Sequence, residues 1–139
     1  MTIRVLLVED HKILREGTRE LLEQTNDLSV VAESATGEEA ITLCRQLQPD
    51  VVVMDVRLPG MNGVDAARAI HNALPDVRVL ILSAFDDDRY IFSSVEAGAR
   101  GYLLKTTSIT HLADAIRAVY RGETIFDAPI RAKLHERLV

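Results

Sequence analysis

Acidic and basic side chains follow short apolar runs in this 139-residue sequence. Glu9 and Asp10 come directly after one run, Asp55 follows a second, and Lys105 follows a third. Clustered carboxylates repel one another unless a cation lies among them, and their hard oxygens are the ligands that Mg²⁺ prefers. A carboxylate beside a metal and an ammonium can also act as a nucleophile toward phosphorus. These residue types predict a Mg²⁺ site at which Asp55 accepts a phosphoryl group.

Two further side chains suit the handling of phosphate. The ammonium of Lys105 can pair with one phosphoryl oxygen, and the hydroxyl of Ser83, which follows another apolar run, can donate a hydrogen bond to a second oxygen. The acyl phosphate formed on Asp55 is hydrolysable, so the modification would be reversible.

The elements that must position these residues are short apolar runs alternating with longer segments of helical spacing. This alternation is typical of right-handed βαβ units. It predicts an α/β fold, a flavodoxin-like doubly wound (βα)5 domain with a five-stranded parallel sheet in the order 2-1-3-4-5. In that order the first and third strands flank the point where strand order reverses, so the three acids meet in one crevice. The predicted strands are Ile3 to Val8, Leu28 to Glu33, Val51 to Met54, Val77 to Leu82 and Gly101 to Leu104.

The helices carry their own local signals. Thr36 and Glu39 form the pattern of a capping box at a helix start. Three acids, Asp86 to Asp88, favour the N-terminus of a helix around residues 89–97, because they complement its dipole. Apolar residues at three- and four-residue spacing predict a last helix from Ile109 to Tyr120 that packs one stripe on the sheet.

The sequence divides into a domain of residues 1–122 and a tail or linker of residues 123–139. Gly122 ends the last helix of the domain. In the tail, Ile130, Leu134 and Leu138 form a narrow stripe at four-residue spacing. The tail is therefore predicted to be a short amphipathic helix that needs a surface to pack on.

Composition excludes several classes of function. A net charge of -5 and a pI near 5.3 give no general attraction for nucleic acid, so any DNA contact would need another module. Cys44 is the one cysteine, which excludes an intramolecular disulfide and fits a reducing cytoplasm. The N-terminal apolar stretch is too short, and wrongly flanked, for a signal peptide or a membrane span.

Four motifs together resemble the receiver domain of two-component response regulators. They are Val8 to His11, Met54 to Gly63, Leu82 to Ala84 and Gly98 to Lys105. The resemblance covers about residues 3–122, and the last two motifs are most similar to the NarL/FixJ (LuxR-type) subfamily. Any one motif would be weak, whereas four in the right order are specific.

The resemblance implies a role for each residue of the site. In this family a sensor histidine kinase donates the phosphoryl group, and the domain assists the transfer and its own dephosphorylation, so the chain would be a signalling domain and not a conventional enzyme. The implied roles are phospho-acceptor for Asp55, Mg²⁺ ligands for Glu9, Asp10, Asp55 and the Arg57 backbone carbonyl, hydroxyl switch for Ser83, phosphate-pairing lysine for Lys105, and aromatic switch for Tyr102.

The implied output is regulation of transcription. Phosphorylation is expected to draw Ser83 inward, admit Tyr102 into the vacated space and reshape the face formed by residues 89–97 and 102–120, where a homodimer is expected. The subfamily's helix-turn-helix module, its route to DNA, is not in this sequence. The unpartnered tail stripe favours a receiver fragment of a longer protein over a natural single-domain regulator.

Beside the missing helix-turn-helix module, two departures from the family pattern are visible within the motifs. Glu9 stands where aspartate is commoner, which adds a methylene near the metal. Thr106 follows Lys105 where many receivers have a proline, and the isomer of that bond stays open.

Two bulky side chains, Arg57 and Phe85, lie two residues after the acceptor and the switch hydroxyl respectively. We hypothesise that they slow hydrolysis of the acyl phosphate.

Alternative readings remain beside this one. A Mg²⁺-dependent phosphohydrolase with an aspartyl nucleophile would use a similar cluster, but it typically needs a second acid where this chain has Arg57. A flavin- or nucleotide-binding module would need small residues after the first strand, where this chain has Glu9-Asp10-His11. Tyr102 fits a packing aromatic as well as a switch, and His11 fits a solvated helix start.

Overall fold

The apolar runs form the strands of one parallel sheet in the computed structural model, which describes residues 2–138. Short continuous apolar runs are typical of parallel strands that are covered on both faces. Three of the five predicted strands have the bounds expected, the second is one residue longer at its end, and the fourth is shifted by one residue at both ends. The strands are β1 (Ile3–Val8), β2 (Leu28–Ser34), β3 (Val51–Met54), β4 (Arg78–Ser83), β5 (Gly101–Leu104) and β6 (Ile125–Phe126).

Side-chain caps begin four of the helices. The Thr36 hydroxyl accepts a hydrogen bond from the Glu39 backbone N–H at 3.1 Å, which confirms the predicted helix start. Asn62, Asp87 and Ser108 cap three other helices in the same way. The helices are α1 (Lys12–Glu23), α2 (Gly37–Leu47), α3 (Gly63–Ala73), α4 (Asp88–Glu96), α5 (Ile109–Tyr120) and α6 (Ala128–Leu138).

The sheet has six strands in the order β2-β1-β3-β4-β5-β6, so the prediction of five strands is wrong by one. β6 has only two residues, Ile125 and Phe126, and two residues carry no periodic signal. It pairs in parallel with Gly101 and Tyr102 of β5. A Cβ atom at Gly101 would lie 2.5 Å from the Ile125 carbonyl oxygen, so only glycine allows this close approach.

Alternate side chains of each central strand point to opposite faces of the sheet. Val5 and Leu7 pack with residues of α1 and α5 on one face. Leu6 and Val8 pack with residues of α2, α3, α4 and α6 on the other face. Helices therefore cover both faces of the central strands, and the carboxyl ends of these strands lie at one edge of the sheet.

The tail is folded onto this framework. After Gly122, the chain adds β6 to the sheet edge, and α6 then packs against α4, with Ile130 fully buried. Leu134 is half-buried against the same core, while the side chain of Leu138 lies outside the described residues. The division of the chain at residue 122 stays a prediction. Across residues 2–138, no helix combines the length and the apolar character needed to cross a membrane.

Candidate functional site

Backbone pairing brings the predicted site residues to one edge of the sheet. The N–H of Asp55 donates to the Val8 carbonyl at 3.2 Å, which places Asp55 beside the end of β1. The N–H of Lys105 donates to the Ser83 carbonyl at 2.8 Å, which aligns the ends of β4 and β5. Four strand ends therefore meet around one crevice, as the strand order predicts.

The approach of α3 supports the segment that follows Asp55. The N–H of Gly63 donates to the Val56 carbonyl at 2.7 Å. A Cβ atom at Gly63 would lie 2.0 Å from the Asp55 carbonyl oxygen, a distance that no side chain permits. Glycine at this position lets the start of α3 lie against the backbone of Asp55, and this contact fixes the position of Asp55.

Lys105 joins the two buried acids. Its Nζ donates to Oε1 of Glu9 at 2.5 Å and to Oδ2 of Asp55 at 2.6 Å. Glu9 and Asp55 are 5% and 6% exposed, so both carboxylates are largely removed from water. Carboxylates this deep require a charged partner, and Lys105 provides it for both.

These contacts set the protonation states of Glu9 and Lys105. Burial alone would raise the pKa of Glu9, but hydrogen bonds from Lys105 and His11 outweigh it, so the pKa is lowered from its usual 4.5. Burial alone would lower the pKa of Lys105, but hydrogen bonds to Asp55 and Glu9 raise it above its usual 10.5. Both side chains are therefore charged at neutral pH.

His11 lies closer to the acids than the sequence suggests. Its Nδ1 is 3.1 Å from Oε2 of Glu9 and 3.5 Å from Oδ1 of Asp10, although its side chain is 74% exposed. Its backbone N–H also donates to the Glu9 carboxylate at 3.0 Å. The available signal was that His11 follows the two acids directly, but adjacency alone did not distinguish this contact from a solvated imidazole.

The donor set fits a hard divalent cation. One atom each from Glu9, Asp10 and His11 lies within 4.8 Å of the others, and the Asp55 carboxylate shares Lys105 with Glu9. The N–H of Arg57 donates to Oδ1 of Asp55 at 3.3 Å, so the backbone of residue 57 also borders this site. Carboxylate and carbonyl oxygens in this arrangement suit Mg²⁺ with waters and a phosphate oxygen.

Ser83 and Tyr102 hold the same stretch of backbone after β4. The Ser83 hydroxyl accepts a hydrogen bond from the N–H of Phe85 at 3.1 Å, and the Tyr102 hydroxyl donates to the Phe85 carbonyl at 2.5 Å. Tyr102 is fully buried, which raises its pKa to about 12. The tyrosine therefore points inward, an orientation that the sequence left open.

Arg57 and Phe85 are in contact with each other and with a residue that the sequence did not single out. The guanidinium of Arg57 lies 4.3 Å from the centroid of the Phe85 ring, and its Nε donates to the Tyr90 hydroxyl at 3.3 Å. The rings of Phe85 and Tyr90 meet edge to face, with their centroids 6.3 Å apart. Arg57 and Tyr90 also line an open cleft of about 470 Å³ that reaches Asp10.

A second cavity, of about 180 Å³, shares Glu9, Asp55 and Lys105 with the site and extends between α1 and α5. Its remaining walls are mainly apolar and include Leu14 and Leu21 of α1, which are both partly exposed. The site therefore borders an apolar surface on this side.

The peptide bond between Lys105 and Thr106 is trans, as is every other peptide bond among residues 2–138.

Comparison with known proteins gives a consistent result. The sequence profile described as "Response regulator receiver domain" matches residues 5–117. The response regulator protein VraR of Staphylococcus aureus is 40% identical over 138 residues, which are 99% of this chain and 66% of VraR. The chain thus spans about two thirds of the length of that relative.

Solved structures agree with this match. A two-component response regulator of the LuxR family from Aurantimonas sp. SI85-9A1 has a TM-score of 0.92 and 38% identity, with all of both chains covered. The signal receiver domain of NarL from Mycobacterium tuberculosis has a TM-score of 0.84 and 33% identity, over 88% of this chain and 98% of that chain.

Proposed function

Because the chain belongs to the response regulator receiver domain family, in its LuxR/NarL branch, we propose that it accepts a phosphoryl group from a sensor histidine kinase on Asp55. The observation that carries this proposal is the buried Asp55 carboxylate held 2.6 Å from Lys105 Nζ, at the strand edge that also bears Glu9 and Asp10. A nucleophilic oxygen, an ammonium and two further acids are the parts that phosphoryl transfer to a carboxylate requires.

The residues of the site divide the work of the transfer. An Asp55 oxygen attacks phosphorus as the bond from phosphorus to the histidine nitrogen of the donor breaks, and an acyl phosphate forms. Lys105 pairs with a phosphoryl oxygen as the transferred group arrives. Glu9, Asp10, Asp55 and the Arg57 carbonyl would hold Mg²⁺, which offsets the negative charge of the phosphoryl group.

The switch follows from the contacts of Ser83 and Tyr102. A phosphoryl group on Asp55 adds acceptor oxygens that draw the Ser83 hydroxyl toward them. Ser83 now accepts from the Phe85 N–H, so its movement disturbs the segment that Tyr102 also holds. The fully buried Tyr102 would then repack as this segment moves.

The same site supports a reversible signal and not turnover of a substrate. No observation favours the phosphohydrolase alternative, because the position two residues after Asp55 holds Arg57, whose side chain contacts Phe85 and Tyr90. We propose that these three side chains restrict the access of water to the acyl phosphate and so slow the domain's own dephosphorylation.

The output belongs to the longer protein. We propose that phosphorylation promotes a homodimer and controls a DNA-binding helix-turn-helix domain outside this chain, so that the protein regulates transcription in the cytoplasm. Family membership supports this proposal, since relatives such as VraR are longer. For the kinase, the exposed apolar side chains of α1 offer a contact surface, which includes Ile13 and also Leu14 beside the site.

Intact-mass spectrometry after incubation with Mg²⁺ and acetyl phosphate tests the phospho-acceptor proposal. We expect one phosphoryl adduct in the wild-type chain and none in Asp55→Ala. Chelation of Mg²⁺ with EDTA should also remove the adduct. An adduct of equal yield in Asp55→Ala would overturn the assignment of Asp55, and no adduct in the wild type would overturn the site.

A further inference from the structure

The helix α6 is seated on α4 by packing at both of its ends. Near its start, Ile130 is fully buried in the core below α4. Near its end, the guanidinium of Arg137 lies 4.1 Å from the centroid of the Phe92 ring of α4. The cation-π contact and the apolar burial hold α6 along the face of α4.

Lys133 ties the middle of α6 to the segment that follows β4. Its Nζ donates to the backbone carbonyl of Asp86 at 2.8 Å and to Oδ1 of Asp88 at 2.9 Å. A backbone carbonyl cannot follow a moving partner by a side-chain rotation. The Lys133 contact therefore depends on the path of the chain between β4 and α4.

That path is set by the predicted switch residues. Phe85 directly precedes Asp86, and both of its backbone polar groups are bound, its N–H by Ser83 and its carbonyl by Tyr102. The backbone groups that Ser83 and Tyr102 bind and the carbonyl that Lys133 binds therefore lie on adjacent residues. A change at Ser83 or Tyr102 would reach Lys133 through a single peptide unit.

The start of α6 is tied to β5 instead. Oδ2 of Asp127 accepts a hydrogen bond from the backbone N–H of Leu104 at 2.9 Å, and its Oδ1 is 3.1 Å from Nε2 of His111. The N–H of Asp127 donates to the Tyr102 carbonyl at 3.3 Å. These contacts join the start of α6 to the backbone of β5 and to the His111 side chain of α5, and none of them is made with the segment after β4.

We infer that α6 is a detachable readout of the switch, an inference that rests on the proposed function. Phosphorylation of Asp55 draws Ser83 away from the Phe85 N–H and shifts Asp86, which breaks the Lys133 contacts. The part of α6 from residue 131 onward then leaves α4, while Asp127 and Ile130 keep the start of the helix in place. Detachment uncovers Phe92 and frees the end of α6.

Hydrogen–deuterium exchange of the whole chain tests this inference. The backbone amides of residues 131–137 are compared with and without acetyl phosphate and Mg²⁺, and the intact mass of the same samples reports the phosphoryl adduct. We expect exchange in this segment to accelerate about five-fold or more on phosphorylation. Exchange of β1 and β3 should stay unchanged, because both strands are paired on both sides within the sheet.

Two variants of the same helix make the test specific. Lys133→Gln should bring exchange in residues 131–137 close to the phosphorylated rate before any phosphate is added, and phosphorylation should add little to it. Arg131→Gln removes the same charge from an exposed residue whose side chain makes no hydrogen bond or ion pair within residues 2–138, and it should behave as the wild type.

The outcomes separate this inference from the function on which it rests. A phosphoryl adduct with unchanged exchange in residues 131–137 overturns the detachment of α6 and leaves phosphorylation of Asp55 intact. Equal exchange in unphosphorylated Lys133→Gln and Arg131→Gln also overturns it. Absence of the adduct overturns both the proposed function and the readout helix.

Discussion

A lysine contact holds both the carboxylates of Glu9 and Asp55 and the helix α6, but the two contacts differ in how deeply they are buried. Lys105 binds two carboxylates that are more than nine-tenths buried, at positions 96 and 50 residues away in the chain. Lys133 binds Asp88, whose side chain is 64% exposed, and a backbone carbonyl at the rim. The first contact is part of a fixed central framework, whereas the second can break at little cost.

The difference in burial assigns different roles to the two regions. An exposed ion pair contributes about 0.5 kcal/mol, because water and salt screen it. A buried carboxylate that loses its partner costs several times more. A site that must keep its charges in position therefore lies in the centre of the sheet, and an element that must move lies at its edge.

Substitution of Ile130 should give the largest loss of stability and should leave phosphorylation intact. Ile130→Ala removes a fully buried side chain between α6 and α4, so we expect a loss of about 3 kcal/mol in the free energy of unfolding. Urea unfolding measures this loss, with Ile13→Ala as the control, because Ile13 is 88% exposed. Equal stability of the two variants would show that α6 does not pack on the domain.

Substitution of Lys105 should destabilise the metal-free chain by less than substitution of Ile130 does, and Mg²⁺ should reverse the loss of stability. Lys105→Met leaves Glu9 and Asp55 without their cation, so we expect a loss of about 2 kcal/mol, below the range for a fully enclosed pair because the lysine is partly exposed. Added Mg²⁺ should restore most of this stability by binding among the acids.

Urea unfolding with and without Mg²⁺ checks the Lys105 prediction. Lys12→Met is the control, since Lys12 is exposed and pairs only loosely with Glu16 at 4.0 Å. If Lys105→Met were as stable as Lys12→Met in the absence of Mg²⁺, the central pairing would have no role in holding the acids.

The pairing of Glu9 should also appear in the pH dependence of stability. The pKa of Glu9 is lowered on folding, so its contribution is present above the usual value of 4.5 and is lost as pH falls through the lower folded pKa. In metal-free buffer, the wild type should lose stability relative to Glu9→Gln as pH falls below 4.5. Urea unfolding midpoints of both proteins measure this change. A constant difference between the midpoints of the wild type and Glu9→Gln over this pH range would contradict the prediction.

The smallest predicted effect concerns the rate of dephosphorylation. Joint replacement of Arg57 and Phe85 by alanine removes two bulky side chains that lie against each other beside Asp55, so water should reach the acyl phosphate more readily and its half-life should shorten about five-fold. Time-resolved intact-mass spectra after removal of acetyl phosphate measure the half-life. An unchanged half-life would show that these side chains do not limit the access of water.

The two regions also differ in what the sequence could predict. Glu9, Asp55 and Lys105 each follow a strong apolar run, and parallel strands align their carboxyl ends, so the sequence placed these residues together. The inward orientation of Tyr102 depends on its hydrogen bond to the Phe85 carbonyl, a tertiary contact that no local pattern encodes.

The tail was harder to predict for a physical reason. The sequence indicated an amphipathic helix from its apolar spacing, but β6 is held by backbone pairing that only Gly101 permits, and two residues show no period. Lys133 and Asp127 each bind a backbone group of a distant segment. Such contacts depend on the assembled fold and leave no signal in the order of the residues.

Chemical location of the phosphoryl group tests the central claim most directly. Borohydride reduces an acyl phosphate to an alcohol, so a phosphorylated aspartate becomes homoserine in the peptide that contains it. After treatment with acetyl phosphate and Mg²⁺, reduction and digestion, we predict homoserine at residue 55 and unmodified carboxylates at Glu9 and Asp10. Reduction at either of those acids, with Asp55 unchanged, would contradict the account.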